Sequence, residues 1–327
     1  MKIDIHSHFI PDGLADYVRE HGASLNAYAE TKDDGDYIGM KGAVAFPVWK
    51  TFYDMDARII DLDKRGLDKE ILSISPLYFF YNAEDDAALG VCRYCNDWVY
   101  DFAQRAPDRF GCMAMVPMQN IGLAIDELSR VHTEKGMNAV EIAPVINGKM
   151  LDAPEFFPFY EYCEKMEILI YLHPARVGKM APYDKFHGMN LMGYVEETNW
   201  ALVRMIFGGV FQRFPHLKVL TSHGGGNFPY QYGRLLHGFE VRAEAKEFIQ
   251  SPPSEYVKNI YFDTITHWKP SLQFLVDSFG ADHVLMGTDY PYDMADSDPV
   301  GSVNALRLTS KERVSVLGEN CRKILKM

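Results

Sequence analysis

MKIDIHSHFI, residues 1–10, alternates apolar Ile3 and Ile5, then sets His6 and His8 two apart before Phe9 and Ile10. The run reads as a β-strand. Residues two apart on a strand share a face, so the two imidazoles project into one space. Imidazoles side by side pack poorly, but they are good ligands for a divalent metal.

Working outward from this strand, β-rich runs recur at 2–8, 70–75, 111–116, 138–143, 167–173, 218–223, 259–264 and 283–288. Helical patterns fill the gaps, at 56–66, 86–106, 121–135, 155–166, 196–213, 231–247, 270–279 and 310–325. Strands alternating with helices imply parallel pairing through right-handed crossovers. Eight such units predict an α/β fold, a (β/α)8 TIM barrel, and one domain over 1–327. Residues 24–50, rich in glycine, charge and aromatics, read as a small insertion over the active-site face between strand 1 and its helix.

Chemistry in such barrels sits at the C-terminal ends of the strands. Strand 1 ends in His6 and His8, strand 5 in His173, and strand 6 in His223 followed by Gly224, Gly225 and Gly226. Asp289 follows strand 8. Any one of these is unremarkable as a packed histidine or a turn aspartate; five on one face predict a metal site. Imidazole and carboxylate donors suit Zn²⁺, with Mn²⁺ or Fe²⁺ as alternatives. Three His and one Asp leave a coordination position open. No lysine ends strand 4, which favours one metal over a bridged pair. Asp263 reads as a supporting partner or a helix cap, and Glu141 on strand 4 faces either side. Gly224–Gly226 would let the backbone approach the site, or form a plain loop. Trp200 and Trp268 are candidate pocket walls.

Among 327 residues, 47% are hydrophobic, ample for a buried core, and the net charge of −12 argues against a nucleic-acid or anionic-membrane binder. No apolar run approaches the roughly 18 residues of a membrane span. Asp4, His6 and His8 interrupt any signal-peptide core. Five scattered cysteines suggest reduced thiols. The Cys92–Cys95 pair has no second pair to complete a zinc knuckle and reads as helix packing. A cytoplasmic address is therefore expected.

Five stretches together, MKIDIHSH at 1–8, YLHPA at 171–175, GGVFQRFPHLKV at 208–219, SHGGGNFPYQYGRLLHGFEVR at 222–242 and GTDYP at 287–291, resemble the amidohydrolase superfamily. Within it the chain resembles the family of 2-amino-3-carboxymuconate-6-semialdehyde decarboxylases and related non-oxidative decarboxylases. The resemblance implies that His6, His8, His173 and Asp289 hold one zinc and that His223 is the acid/base residue. It also implies a homodimer in which Arg234 reaches the neighbouring site and grips a substrate carboxylate, a task suited to a guanidinium fork. One departure stands out. Phe46 occupies the place of a second carboxylate-binding arginine, so an apolar ring replaces a cation. Lys50, Arg176 and Lys179 are the nearby cations able to compensate, and an aromatic acid could stack on Phe46. Some sister hydroxybenzoate decarboxylases carry Glu-x-His in the first motif, where this chain has His-x-His.

The leading expectation is loss of CO₂ from an aromatic or muconate-semialdehyde-type acid, dependent on one divalent metal and free of any organic cofactor. A zinc-bound water polarised by His223, with Asp289 as second candidate, would supply the proton. The alternative is hydrolysis of a lactone, ester or amide at the same centre. A hydratase of unsaturated dicarboxylates and a non-catalytic metal-binding protein are weaker options.

Overall fold

A computed structural model describes residues 1–175 and 182–327. Eight parallel strands form the centre: β1 (Ile3–Phe9), β2 (Lys69–Ile74), β3 (Phe110–Cys112 and Ala114–Met115), β4 (Ala139–Ile142), β5 (Leu169–Leu172), β6 (Val219–Thr221), β7 (Ile260–Asp263) and β8 (Val284–Leu285). β3 is broken at Met113; its first part pairs with β2 and its second with β4. Each later strand pairs with the next, through to β8. The ring shuts between β8 and β1. Ile5 donates to the Met286 carbonyl at 2.9 Å, Asp289 to His6 at 2.8 Å and His8 to Tyr290 at 2.7 Å. The expected (β/α)8 barrel is the fold.

The helices are α1 (Leu14–Leu25), α2 (Met55–Arg65), α3 (Asp85–Arg105), α4 (Ile121–Lys135), α5 (Phe157–Met166), α6 (Tyr194–Phe207), α7 (Val210–Arg213), α8 (Phe228–Val241), α9 (Lys269–Phe279), α10 (Pro299–Asn304), α11 (Ser310–Val314) and α12 (Asn320–Ile324). Local chemistry sets their ends. Asp54 caps α2 by accepting from the Ala57 amide, and Asn120 caps α4 in the same way through Leu123. Gly66 and Gly136 close these two helices at φ 70 and 68.

Three sequence expectations need correction. The helix at 196–213 is two, α6 and α7, broken where Gly209 takes φ 78. The helix at 310–325 is α11 and α12 with a wide turn over Ser315–Glu319 between them. Helix α1 was not anticipated. It leads into a three-stranded antiparallel sheet of Ala27–Lys32, Gly35–Met40 and Phe46–Pro47, which fills most of the 24–50 insertion. The insertion returns to the barrel through Trp49 and Phe52, whose rings meet Tyr292 beyond β8.

Ile3, Ile5, Ile71, Met113, Ala139, Leu169, Tyr171, Leu220 and Leu285 fill the barrel interior, closed below by Cys321, Ile324 and Leu325. A larger apolar layer lies between strands and helices. β1 carries an irregularity that decides the site. Asp4 pairs with Glu70 and Ser7 with Leu72, three steps on β1 against two on β2. This bulge admits one extra residue. Ile3 and Ile5 therefore face the interior, and so do His6 and His8 above them.

Candidate metal centre

His6 and His8 leave β1 fully buried, His173 follows β5, and Asp289 follows β8. Their donor atoms all lie within 4.8 Å of one another. His6 Nε2 and His8 Nε2 are 3.1 Å apart, and Asp289 Oδ1 lies 3.2 Å from the first and 3.0 Å from the second. The outward nitrogens are held in place. His6 Nδ1 bonds Asp263 Oδ2 at 2.6 Å, His173 Nδ1 donates to the Pro174 carbonyl at 2.8 Å, and His8 Nδ1 lies 3.5 Å from Ser73 Oγ. Each ring thus aims Nε2 at a common point. His173 Nε2 is buried there with no hydrogen-bond partner. A buried, unpartnered imidazole nitrogen facing two others and a carboxylate fits a divalent cation, and three nitrogens with one oxygen suit zinc or manganese.

The charges of these residues act on one another. Burial works against a charge on His6, but Asp289 and Asp263 outweigh it and push its pKa up to about 10. Burial lowers His8 to about 4 and takes His173 well below the usual imidazole range. Burial opposes the charge on Asp289 too, yet His6 holds its carboxyl well below the ordinary range. The two carboxylates thus favour charge on His6, while burial disfavours it on His8 and His173.

His223 sits beside this set. Its Nε2 is 3.6 Å from Asp289 Oδ2, and its ring is 5.0 Å from that of His173. Both His223, at φ 53, and Asp289, at φ 67, occupy the left-handed region uncommon for side-chain-bearing residues. Asp263 sustains the His223 loop. Its Oδ2 accepts from the His223 amide at 3.0 Å and its Oδ1 from Gly224 at 2.8 Å. Asp263 thus contacts both the His6 ring and the His223 loop. Gly226, at φ +61, is required by crowding: a Cβ there would lie 2.1 Å from the Val195 carbonyl.

A cavity of about 650 Å³ opens on His223 and Asp289, walled by Tyr194, Tyr230, Ile265, Trp268, Phe274 and Met294. Trp268 therefore reaches the site. Trp200 lines a separate cavity near Tyr183 and Glu196. Arg234 is exposed on α8, and Phe46 pairs with Ile38 in the insertion sheet; neither lines this cavity. Lys50 is tied to Asp54 at 3.1 Å, while Arg176 and Lys179 lie outside the described residues. Cys92 and Cys95 are buried free thiols in α3. Glu141 faces the interior beneath the centre, where burial lifts its pKa to about 8. The sequence reading missed Arg58, Arg65 and Tyr292. The ring of Tyr292 lies 5.2 Å from that of His8. The two arginines had one available signal, their spacing along the inner face of a helix.

A family model described as amidohydrolase matches residues 3–327. A 2-amino-3-carboxymuconate-6-semialdehyde decarboxylase from Dictyostelium discoideum is 33% identical over 333 residues, covering 99% of this chain and 91% of that protein. Among solved structures, the apo IDCase of Metarhizium anisopliae superposes with a TM-score of 0.86 at 19% identity, covering 100% of this chain and 97% of the other. A dihydroxybenzoic acid decarboxylase from Polaromonas sp. JS666, solved with manganese and 2-nitroresorcinol, gives 0.81 at 21% identity, covering 99% and 96%.

Proposed function

The chain belongs to the amidohydrolase family, and we propose that it is a metal-dependent decarboxylase, with no organic cofactor, of an aromatic or muconate-semialdehyde-type carboxylic acid. The observation that carries this reading is the meeting of the four-donor cluster and an aromatic-walled cavity at His223 and Asp289. His6, His8, His173 and Asp289 would hold one divalent ion, assigned as zinc with manganese as the alternative. When bound, the ion supplies Lewis-acid polarisation of a substrate oxygen.

The remaining work falls to the chain itself. The bond between the substrate carbon and its carboxylate breaks, CO₂ departs, and the electron pair stays on the carbon. A proton must arrive there. His223 is the donor in this reading, because it borders the cavity and its Nε2 lies 3.6 Å from Asp289 Oδ2. Asp289 is the second candidate. Tyr194 and Trp268 sit where a substrate ring would stack, a task their place in the cavity supports better than that of Phe46.

The same reading includes a homodimer in which Arg234 from one protomer binds the substrate carboxylate in the other. Exposed Tyr230 and Val241 on α8, along with Arg234, are consistent with a helix that another surface covers. A cytoplasmic address is supported by the five free cysteines.

The test is the metal content of the purified protein coupled to CO₂ release from hydroxybenzoates, carboxymuconate semialdehydes and heteroaromatic acids. Stoichiometric metal with CO₂ from one of them is the expected result. Stoichiometric metal without CO₂, with acid released from a lactone, overturns the proposal in favour of hydrolysis.

A further inference from the structure

Three of the four metal-site donors, His6, His8 and Asp289, flank the seam where β8 meets β1. This seam is thinly built. Beyond its few backbone hydrogen bonds, the pairing amounts to one isolated bridge between Ser7 and Tyr290. Something outside the strands has to hold the two strand ends at a fixed separation.

Helix α2 lies behind the seam and sends two guanidiniums into it. Arg58 is fully buried and Arg65 nearly so. They stand about two turns apart, on one face of the helix. Arg58 reaches β1 and β2: it donates to the His8 carbonyl at 2.9 Å, to Ser7 Oγ at 2.6 Å and to Glu70 Oε1 at 2.8 Å. Ser7 in turn donates to Glu70 Oε2 at 2.8 Å. Arg65 reaches the other side. It donates to Thr288 Oγ1 at 2.9 Å, and Thr288 donates to Asp4 Oδ2 at 2.5 Å. The other Asp4 oxygen accepts from the His6 amide at 2.9 Å. The Tyr290 ring lies between the two cations, 5.2 Å from Arg58 and 4.3 Å from Arg65.

We propose that Arg58 and Arg65 are positioning residues for the metal centre, a two-armed clamp from α2 that fixes Asp289 relative to the His6–His8 pair. Neither arginine bonds a donor side chain of the cluster. Arg58 acts through the His8 backbone, and Arg65 acts through Thr288, the neighbour of Asp289. Arg58 binds several acceptors at once with its planar fork, and Arg65 holds Asp61 and Thr288 with two different nitrogens, so lysine, a point charge, replaces neither arm fully. The inference rests on the four donors being a metal site.

The test is zinc affinity, measured by competition with a chromophoric chelator on protein shown by circular dichroism to be folded. Arg58→Gln and Arg65→Gln should each weaken zinc binding by about tenfold or more, the usual cost of losing an outer-shell support. Arg65→Lys should recover part of the loss. Thr288→Val cuts the Arg65 link to β8 while leaving Arg65 and Asp4 paired at 3.6 Å, and it should weaken zinc binding even if the arginine variants fail to fold. Arg130→Gln, which breaks an ion pair to Glu127 and Asp97 on α3 and α4, should lower stability and leave zinc affinity unchanged. Thr288→Val and every folded arginine variant binding zinc within about threefold of wild type would overturn the clamp, since losses at such positions run to tenfold or more. Wild-type protein that binds no zinc or manganese would instead overturn the metal-site reading beneath it.

Discussion

His6 and His223 share one carboxylate oxygen: Asp263 Oδ2 accepts from the His6 ring at 2.6 Å and from the His223 amide at 3.0 Å. A residue on β7 thereby sets both a metal donor and the loop of the proposed acid. Asp263→Ala should cost about 10- to 100-fold in metal affinity. It should also lower kcat at saturating metal, because the His223 loop loses its anchor. Metal titration and steady-state kinetics on the folded variant check both effects. Unchanged values in each would show that Asp263 only fills space.

His223→Ala should separate chemistry from metal binding. His223 is outside the donor cluster, so the variant should keep its full metal complement. Its kcat should fall by about 10²- to 10⁴-fold, the range for a lost general acid. Elemental analysis beside a CO₂-release assay measures both. A near-normal rate would move the proton-delivery role to Asp289.

Glu141 makes a prediction about pH. Burial is the main cause that raises its pKa to about 8, with the charge of His6 and the hydroxyl of Ser73 offsetting only part. In the unfolded chain it ionises near 4.5. Between these values the native state binds the extra proton, so this group's contribution is complete below about pH 4.5 and is lost as pH rises toward about 8. The slope is at most about 1.4 kcal/mol per pH unit. Metal-free Glu141→Gln should therefore gain stability relative to wild type as pH increases through that window. Urea midpoints of both proteins from about pH 5 to about pH 8 check the sign. Parallel curves would mean that the native carboxyl is already ionised.

Arg234 is proposed to act across a dimer, which subunit mixing can test. Arg234→Ala and His223→Ala should each be nearly inactive alone. Mixed and reassociated, they form some dimers with one intact composite site. Up to about a quarter of wild-type activity should return if two-fold dimers exchange at random. No recovery, in a mixture shown to have exchanged, would confine Arg234 to its own protomer.

The barrel and the donor set were legible because both rest on short-range signals. Strand and helix alternation is periodic, and ligands fall at strand ends where this architecture gathers them. What escaped the sequence depends on distant geometry. Strict alternation from Ile3 and Ile5 would turn His6 and His8 to the other face, and only the bulge between Asp4 and Ser7 reconciles the two pairs. Nothing local in that stretch signals the extra residue. The breaks at Gly209 and within 315–319 sit inside otherwise helical patterns. Arg58 and Arg65 resemble ordinary surface cations of an amphipathic helix until β1, β2 and β8 surround them. Phe46 was placed by correspondence with a motif, and the insertion sheet holds it outside the cavity instead.

The seam also bears on how the protein is made. His8 and Asp289 are separated by 281 positions, yet they meet at 3.0 Å. A ribosome releasing this chain exposes the histidine pair well before the aspartate, which follows 281 positions later. Until then β1 has an open edge, and its imidazoles are at most a loose, incomplete chelate. Full metal loading is thus deferred until the last strand has docked against the first, so a tightly held ion marks a chain whose ring has closed.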